Sequence, residues 1–206
     1  EGYCTDVWFR EGMRFVEENR EKPFFLYLAL NAPHGPYFVP PEWAAPYEGN
    51  TDVANANFYG MIANIDHNMG LLRDHLDDLG IAENTILIFM TDNGTAAGAK
   101  FEGLTSEAIV GYNAGMRGKK SSVYEGGHRV PFFIHWPEGG LEVAACHKLT
   151  EVAAAILDAT VSAGDPVGEP QLKVVEFSLP PEEEGVALRG VICGCLADDD
   201  AVGACP

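Results

Sequence analysis

Between Thr5 and Arg20 the apolar residues Phe9, Met13 and Val16 recur at i, i+4 and i+7, with acids and arginines between them. That period predicts an amphipathic helix with Thr5 as N-cap and Asp6 in its first turn, ended by Lys22-Pro23. Phe24 to Leu30 is then apolar without a break, a run of strand length suited to burial on both faces of a parallel sheet. Asn31-Ala32-Pro33-His34-Gly35-Pro36 turns the chain out into an irregular excursion over residues 36–57, rich in Pro, Gly, Asn and aromatics. A long stripe follows at helical spacing: Phe58, Met61, Ile62, Ile65, Met69, Leu72, Leu76 and Leu79, with Gly80 as its C′ residue. Thr85 to Thr91 reads as a second buried strand, closed by Asp92-Asn93-Gly94, and Val130 to Trp136 as a third, closed by Pro137-Glu138-Gly139-Gly140. Leu149 to Val161 is Ala-rich and helical in pattern, and Lys173 to Phe177 is strand-like.

Strand, long helix, strand, loop, strand, helix is a βαβ order. It predicts an α/β fold, a mostly parallel sheet flanked by helices. The pattern weakens after Gly164, which divides the chain into residues 1–164 and an acidic tail over 165–206.

Composition narrows the function. The 206 residues suit one domain, or one domain with an appendage. A hydrophobic fraction of 47% excludes disorder over the whole length. No apolar run is long enough to cross a membrane, since a span needs about 18 such residues. A net charge of −18 excludes a duplex nucleic-acid binder, which needs a basic face, and argues against docking on anionic lipid. Residues 140–206 hold 12 acids and 3 bases, the pattern of a solvated face. The five cysteines are odd in number and form no CxxC pair, which argues against a disulfide framework in a chain this long; Cys193-Gly194-Cys195 is either a weak redox or metal signal or chance spacing.

Ligands of open α/β sheets bind beyond the carboxyl ends of the strands, and two loops there carry chemistry. His34, fenced by prolines and a glycine, is either a ring held for catalysis or a loop cap. Asp92 and Asn93 set a charged and a neutral oxygen side by side, a pair suited to Ca²⁺ or Mg²⁺ or, equally, to a capped Asn-Gly turn. Asn93-Gly94-Thr95 also matches a glycosylation sequon. A third segment, residues 117–131, concentrates Arg117, Lys119, Lys120 and Arg129 beside glycines in an otherwise acidic chain. It is either an anion site or a basic patch that pairs with the acidic excess. A divalent metal, a cation and a histidine around an anion suit hydrolysis of a sulfate or phosphate ester.

The segments Lys22 to Leu28 with Ala32-Pro33-His34, Tyr59 to Asp66, Thr91 to Gly94, and Lys120 to Pro131 with Glu125-Gly126-Gly127 resemble, in order and spacing, the arylsulfatase-like sulfatases of the alkaline phosphatase superfamily. The resemblance covers residues 5–164. It implies an alkaline-phosphatase-like α/β fold and a Ca²⁺-dependent sulfuric ester hydrolase acting on a small-molecule or carbohydrate sulfate ester, in the periplasm or secreted. Asp92 and Asn93 would be two metal ligands, with Mg²⁺ as the alternative ion. His34 and Lys120 would be catalytic and contact the sulfate, Arg117 would help bind it, and Glu125-Gly126-Gly127 would be structural.

The family's nucleophile is a formylglycine made from a Cys/Ser-x-Pro-x-Arg motif. Cys4-Thr5-Asp6-Val7-Trp8 does not fit that motif, and Cys205-Pro206 has no continuation here. The expectation is therefore a C-terminal part of the catalytic domain, incomplete in its first strands, without its nucleophile and inactive alone. Two further readings stay open: a non-catalytic pseudoenzyme or interaction module, and a phosphodiesterase or phosphonate monoester hydrolase of the same superfamily. The aromatics Tyr37, Phe38, Trp43 and Tyr47 of the excursion are either a specificity surface or a small core of their own.

Overall fold

The computed structural model describes residues 1–103, 107–139, 141–145 and 189–195, all within one compact unit. In chain order the elements are α1 (Cys4–Asn19), β1 (Phe24–Leu30), the short α2 (Pro41–Ala44) with a 3₁₀ turn (Ala45–Tyr47), α3 (Ala56–Asp78), β2 (Thr85–Thr91), β3 (Ala99–Phe101), β4 (Ala108–Gly111), a single helical turn α4 (Glu125–His128), β5 (Phe132–Trp136), β6 (Leu141–Ala145) and β7 (Arg189–Cys195). The expected helix at Leu149–Val161 and strand at Lys173–Phe177 lie outside the described residues.

Both long helices form where the apolar period runs. The N-cap lies two residues before the expected one: Tyr3 is the N-cap residue, and Thr5 is buried inside the helix. Burial prevails over capping there, because the residues around Thr5 face α3. Asp6 accepts hydrogen bonds of 2.8 Å from both Asn64 and Asn68 of α3, which satisfies three polar side chains at the helix contact. α3 begins at Asn55, whose side chain accepts from the Phe58 amide at 3.1 Å. It ends in a Schellman motif at Gly80 (φ +68°), with Ile81 N donating to Leu76 O at 3.1 Å and Gly80 N to Asp77 O at 2.9 Å.

The sheet has the order β1-β7-β2-β5-β6. β7 lies parallel to both β1 and β2, whereas β2–β5 and β5–β6 are antiparallel. The sheet is thus mixed rather than mostly parallel. The chain leaves β2 at Thr91 and re-enters at Phe132 from the same end, so no crossover helix is needed and β5 runs back along β2. Its apolar run could not announce that direction. Residues 189–195, within the expected acidic tail, supply the strand between β1 and β2.

The core lies between the sheet and the two long helices. Phe24, Leu28 and Leu30 of β1 and Leu87 of β2 join Phe9, Val16, Met61, Ile65, Leu72, Leu76 and Ile81. The alternate β1 residues Phe25 and Tyr27 are exposed, although the apolar run predicted cover on both faces. The excursion lies on α3, where Tyr37 packs on Phe58, Trp43 on His67 and Tyr47 on Tyr59. Gly60 permits this, since a Cβ there would meet the Trp43 carbonyl at 2.9 Å. Among the described residues no helix is long and apolar enough to cross a membrane.

Candidate functional site

Several loops meet at one end of the sheet, and backbone bonds hold most of them together. Gly94 N, after β2, donates to Gly127 O of α4 at 2.9 Å. Gly126 N donates to Arg117 O at 2.8 Å, and Lys120 N to Thr95 O at 3.0 Å. The side-chain amide of Asn113 donates to the Met116 carbonyl and, at 3.2 Å, to that of Gly118. The approach is so close that a Cβ on Gly94 would lie 1.7 Å from Gly126 O, and one on Gly126 would lie 2.1 Å from Gly118 O. Hydrogen-bonding groups with no side chain between them are what Glu125-Gly126-Gly127 contributes.

These loops, one face of α3 and the strand residues Leu87, Phe89, Phe133 and Ile134 of β2 and β5 line a cleft of about 670 Å³. His34, Asp92, Asn93 and Lys120 all line it. His34 Nδ1 is 2.8 Å from its neighbour's carbonyl, Gly35 O. A carbonyl only accepts, so Nδ1 carries a proton and Nε2 is the nitrogen left for chemistry. Lys120, half-buried, brings the cleft a cation whose backbone is fixed to Thr95. A fixed cation in a partly dry cleft stabilises a bound oxyanion more than one in bulk water does.

The sulfatase family model matches residues 1–162. This chain belongs to the sulfatase family. It is 32% identical over 135 residues to the N-acetylgalactosamine-6-O-sulfatase of Bacteroides thetaiotaomicron, which covers 65% of this chain and 25% of that protein. Against the human N-acetylgalactosamine-6-sulfatase the identity is 28% over 153 residues, 74% of this chain and 27% of the relative. Among solved structures, that of Ps i-CgsB in complex with k-i-k-neocarrahexaose superposes with a TM-score of 0.55 at 36% identity, over 66% of this chain and 28% of the other. The chain thus spans about a quarter of the length of the relatives it matches, and its fold follows that of the solved structure over the matched part.

Of the residues singled out in the sequence, His34, Asp92, Asn93 and Lys120 share this cleft, and Arg117 does not line it. The Arg117 guanidinium lies 3.9 Å from the centroid of the Tyr124 ring, a cation–π contact beside α4. The excursion aromatics Tyr37, Phe38, Trp43 and Tyr47 do not line the cleft either.

Asp92 and Asn93 offer oxygens of the type a hard cation takes. Asn93 Nδ2 donates to Gly94 O at 3.2 Å, and its Oδ1 is the oxygen it could offer a cation. Ca²⁺ takes about 6–8 oxygens, and the described residues contain no group of three or more His, Cys, Asp or Glu placed to hold a metal. The donor chemistry fits Ca²⁺, and the donor number among the described residues does not complete a site.

Sequence reasoning passed over Asp66 and Arg73 of α3, and Tyr112 and Asn113, all of which line the cleft, while Arg129 of the basic segment lines it as well. A signal existed for α3. Tyr59, Ile62, Asp66, Met69 and Arg73 are spaced 3, 4, 3 and 4 apart, a second stripe beside the core stripe. Two charges on an otherwise apolar stripe mark a face turned to a cleft rather than to the core.

Proposed function

We propose that this chain is the anion-holding part of a sulfuric ester hydrolase of the sulfatase type. The reading rests on one observation: Lys120, His34 and the adjacent pair Asp92 and Asn93, from three loops, converge on one cleft. Lys120 binds the sulfate as a counter-charge. His34, with its proton on Nδ1, presents Nε2 to the sulfate or to the leaving oxygen. Asp92 and Asn93 supply two oxygens to a Ca²⁺ ion, or Mg²⁺ in its place, whose other ligands come from outside the described residues. When bound, that ion neutralises charge on the ester's sulfate oxygens. Arg117, tied to Tyr124 and to Gly126, holds the Lys120 loop against α4 and acts on the sulfate through that loop.

The nucleophile, a formylglycine in the family, is expected from outside this chain, so the 206 residues bind sulfate and do not turn an ester over. Sulfated carbohydrate is the favoured substrate class, supported by relatives named for N-acetylgalactosamine 6-sulfate.

The test is calorimetric titration of the chain with inorganic sulfate in Ca²⁺, alongside an assay on 4-nitrophenyl sulfate. Sulfate binding that weakens at least tenfold in Lys120→Ala, roughly the worth of one charge-assisted hydrogen bond, with no turnover, is the expected result. Equal affinity in the variant would remove the anion site. Turnover by the chain alone, abolished in Lys120→Ala, would overturn the inactivity.

A further inference from the structure

The anion site uses the floor of the cleft and leaves its rim unexplained. Tyr112 stands at that rim, 75% exposed while lining the cleft. An exposed aromatic ring is ordinary on a mobile surface loop, but this one sits on a built mount. Its backbone N–H is shared between Gly98 O and the Tyr59 hydroxyl, each at 3.2 Å. The Tyr59 hydroxyl in turn donates to Gly98 O at 2.8 Å, which closes the three groups into a ring of bonds. Tyr47 packs on the Tyr59 ring at 5.6 Å, so the excursion over residues 36–57 braces the mount from behind.

Gly111 brings the chain in. It has φ +90°, and a Cβ there would lie 2.1 Å from Gly98 O. Any side chain would push the strand off Gly98 and carry Tyr112 with it. The mount also joins the anion site. Thr95 Oγ1 accepts from Gly98 N at 2.9 Å, and the Thr95 carbonyl accepts from Lys120 N at 3.0 Å. The Thr95–Gly98 segment therefore holds the backbones of both Tyr112 and Lys120, and fixes where the ring's mount stands relative to that of the cation.

A sulfated sugar needs this pairing. Its sulfate calls for a cation, and the C–H face of its ring packs on the electron-rich face of an aromatic ring. We infer that Tyr112 is a substrate-binding platform, on which a sugar ring of a sulfated carbohydrate stacks while its sulfate reaches Lys120. The inference rests on the anion-site reading above and goes beyond it by naming the residue that recognises the sugar.

The test uses the full chain and four probes: inorganic sulfate, N-acetylgalactosamine, N-acetylgalactosamine 6-sulfate and 4-nitrophenyl sulfate. Tyr112→Ala removes an exposed ring and keeps the bonded backbone N–H, so the fold is retained, as circular dichroism will check. It should weaken both sugar probes by about tenfold, the upper range of an aromatic stacking contact, and leave inorganic sulfate unchanged. Tyr112→Phe should bind the sugars like the wild type. Equal sugar affinity in Tyr112→Ala and wild type overturns the inference, as does a wild type that binds neither sugar. Weakening confined to 4-nitrophenyl sulfate assigns the ring to an aryl group and overturns the sugar assignment. If wild type fails to bind inorganic sulfate while Tyr112→Ala still weakens N-acetylgalactosamine, the anion-site reading falls and the platform stands.

Discussion

The two ends of this molecule are fixed by different means. At the helical end, side chains do it: Phe9, Val16 and Leu72 are wholly buried between α1, α3 and the sheet. At the loop end the backbone does it, through Gly94, Gly126 and Gly127 and the carbonyls they meet. A packed core loses stability in proportion to the volume removed. A backbone contact with no room for a methyl group is lost when one is added. The glycine contacts fix the loops that line the cleft without drawing on the core.

The largest expected effect tests whether the two ends are separate. Phe9→Ala should cost about 3–5 kcal/mol of unfolding free energy, the usual range for a buried phenylalanine, read as a fall in denaturant midpoint. The protein that remains folded should bind inorganic sulfate as the wild type does. Sulfate affinity that falls with the midpoint would mean that the core sets the cleft, and the comparison would break.

Gly126→Ala is the converse. Its Cβ would lie 2.1 Å from Gly118 O, so the loop must move, at about 1–3 kcal/mol, the range for overpacking. The smaller stability loss should come with a larger functional one: sulfate affinity should drop as far as in Lys120→Ala, since Gly126 N holds Arg117 O in the same loop as Lys120. Calorimetric titration of the two variants side by side decides this. Unchanged sulfate affinity in Gly126→Ala would show that the cation does not depend on the glycine contact.

How much of this was legible in the sequence divides along the same line. The helical end was readable because a period of 3.6 is written into single residues: the α3 stripe, Gly80 and the bounds of β1 and β2 all appear in the structure. Of the loop end, His34, Asp92 and Asn93 were picked out by residue type and Lys120, within its basic cluster, by the family resemblance, and the cleft brings them together. The bonds that unite them were not legible, since a glycine in a string does not say which carbonyl it will meet. The sheet's mixed direction escaped for a similar reason. A buried strand is apolar whichever way it runs, and β7 between β1 and β2 is a pairing across more than 90 residues from either neighbour. β3 and β4, short and only partly buried, left no run to read.

One polar cluster belongs to the packed end and sharpens the contrast. Asp6 accepts from Asn64 and Asn68, and both asparagines are buried. Asp6→Ala leaves the buried Asn64 amide short of an acceptor, at about 1–3 kcal/mol for the unmet group, while the Asn68 amide keeps the Asn64 carbonyl at 2.9 Å. Pairing it with Asn64→Leu in a double-mutant cycle should recover part of that loss, because the orphaned amide goes with the residue. Strict additivity would show that water replaces the carboxylate and that this contact is not a closed part of the core.

The smallest expected effect lies one turn further out, at Tyr3. Burial pushes its hydroxyl above the ordinary tyrosine value, and the negative charge of Asp6 adds to the shift. The folded chain therefore holds that proton more firmly than the unfolded one. The contribution is fully present below the unfolded value of about 10 and is lost as pH rises through the folded value. Tyr3→Phe has no proton to lose, so its denaturant midpoint should fall less than that of the wild type between pH 9 and pH 11. Sulfate affinity per folded molecule should not change over the substitution, because Tyr3 belongs to the helical end. Parallel pH profiles for the two proteins would mean that the α1 N-terminus opens before Tyr3 titrates, and that the packed end frays there rather than ending at a half-buried tyrosine.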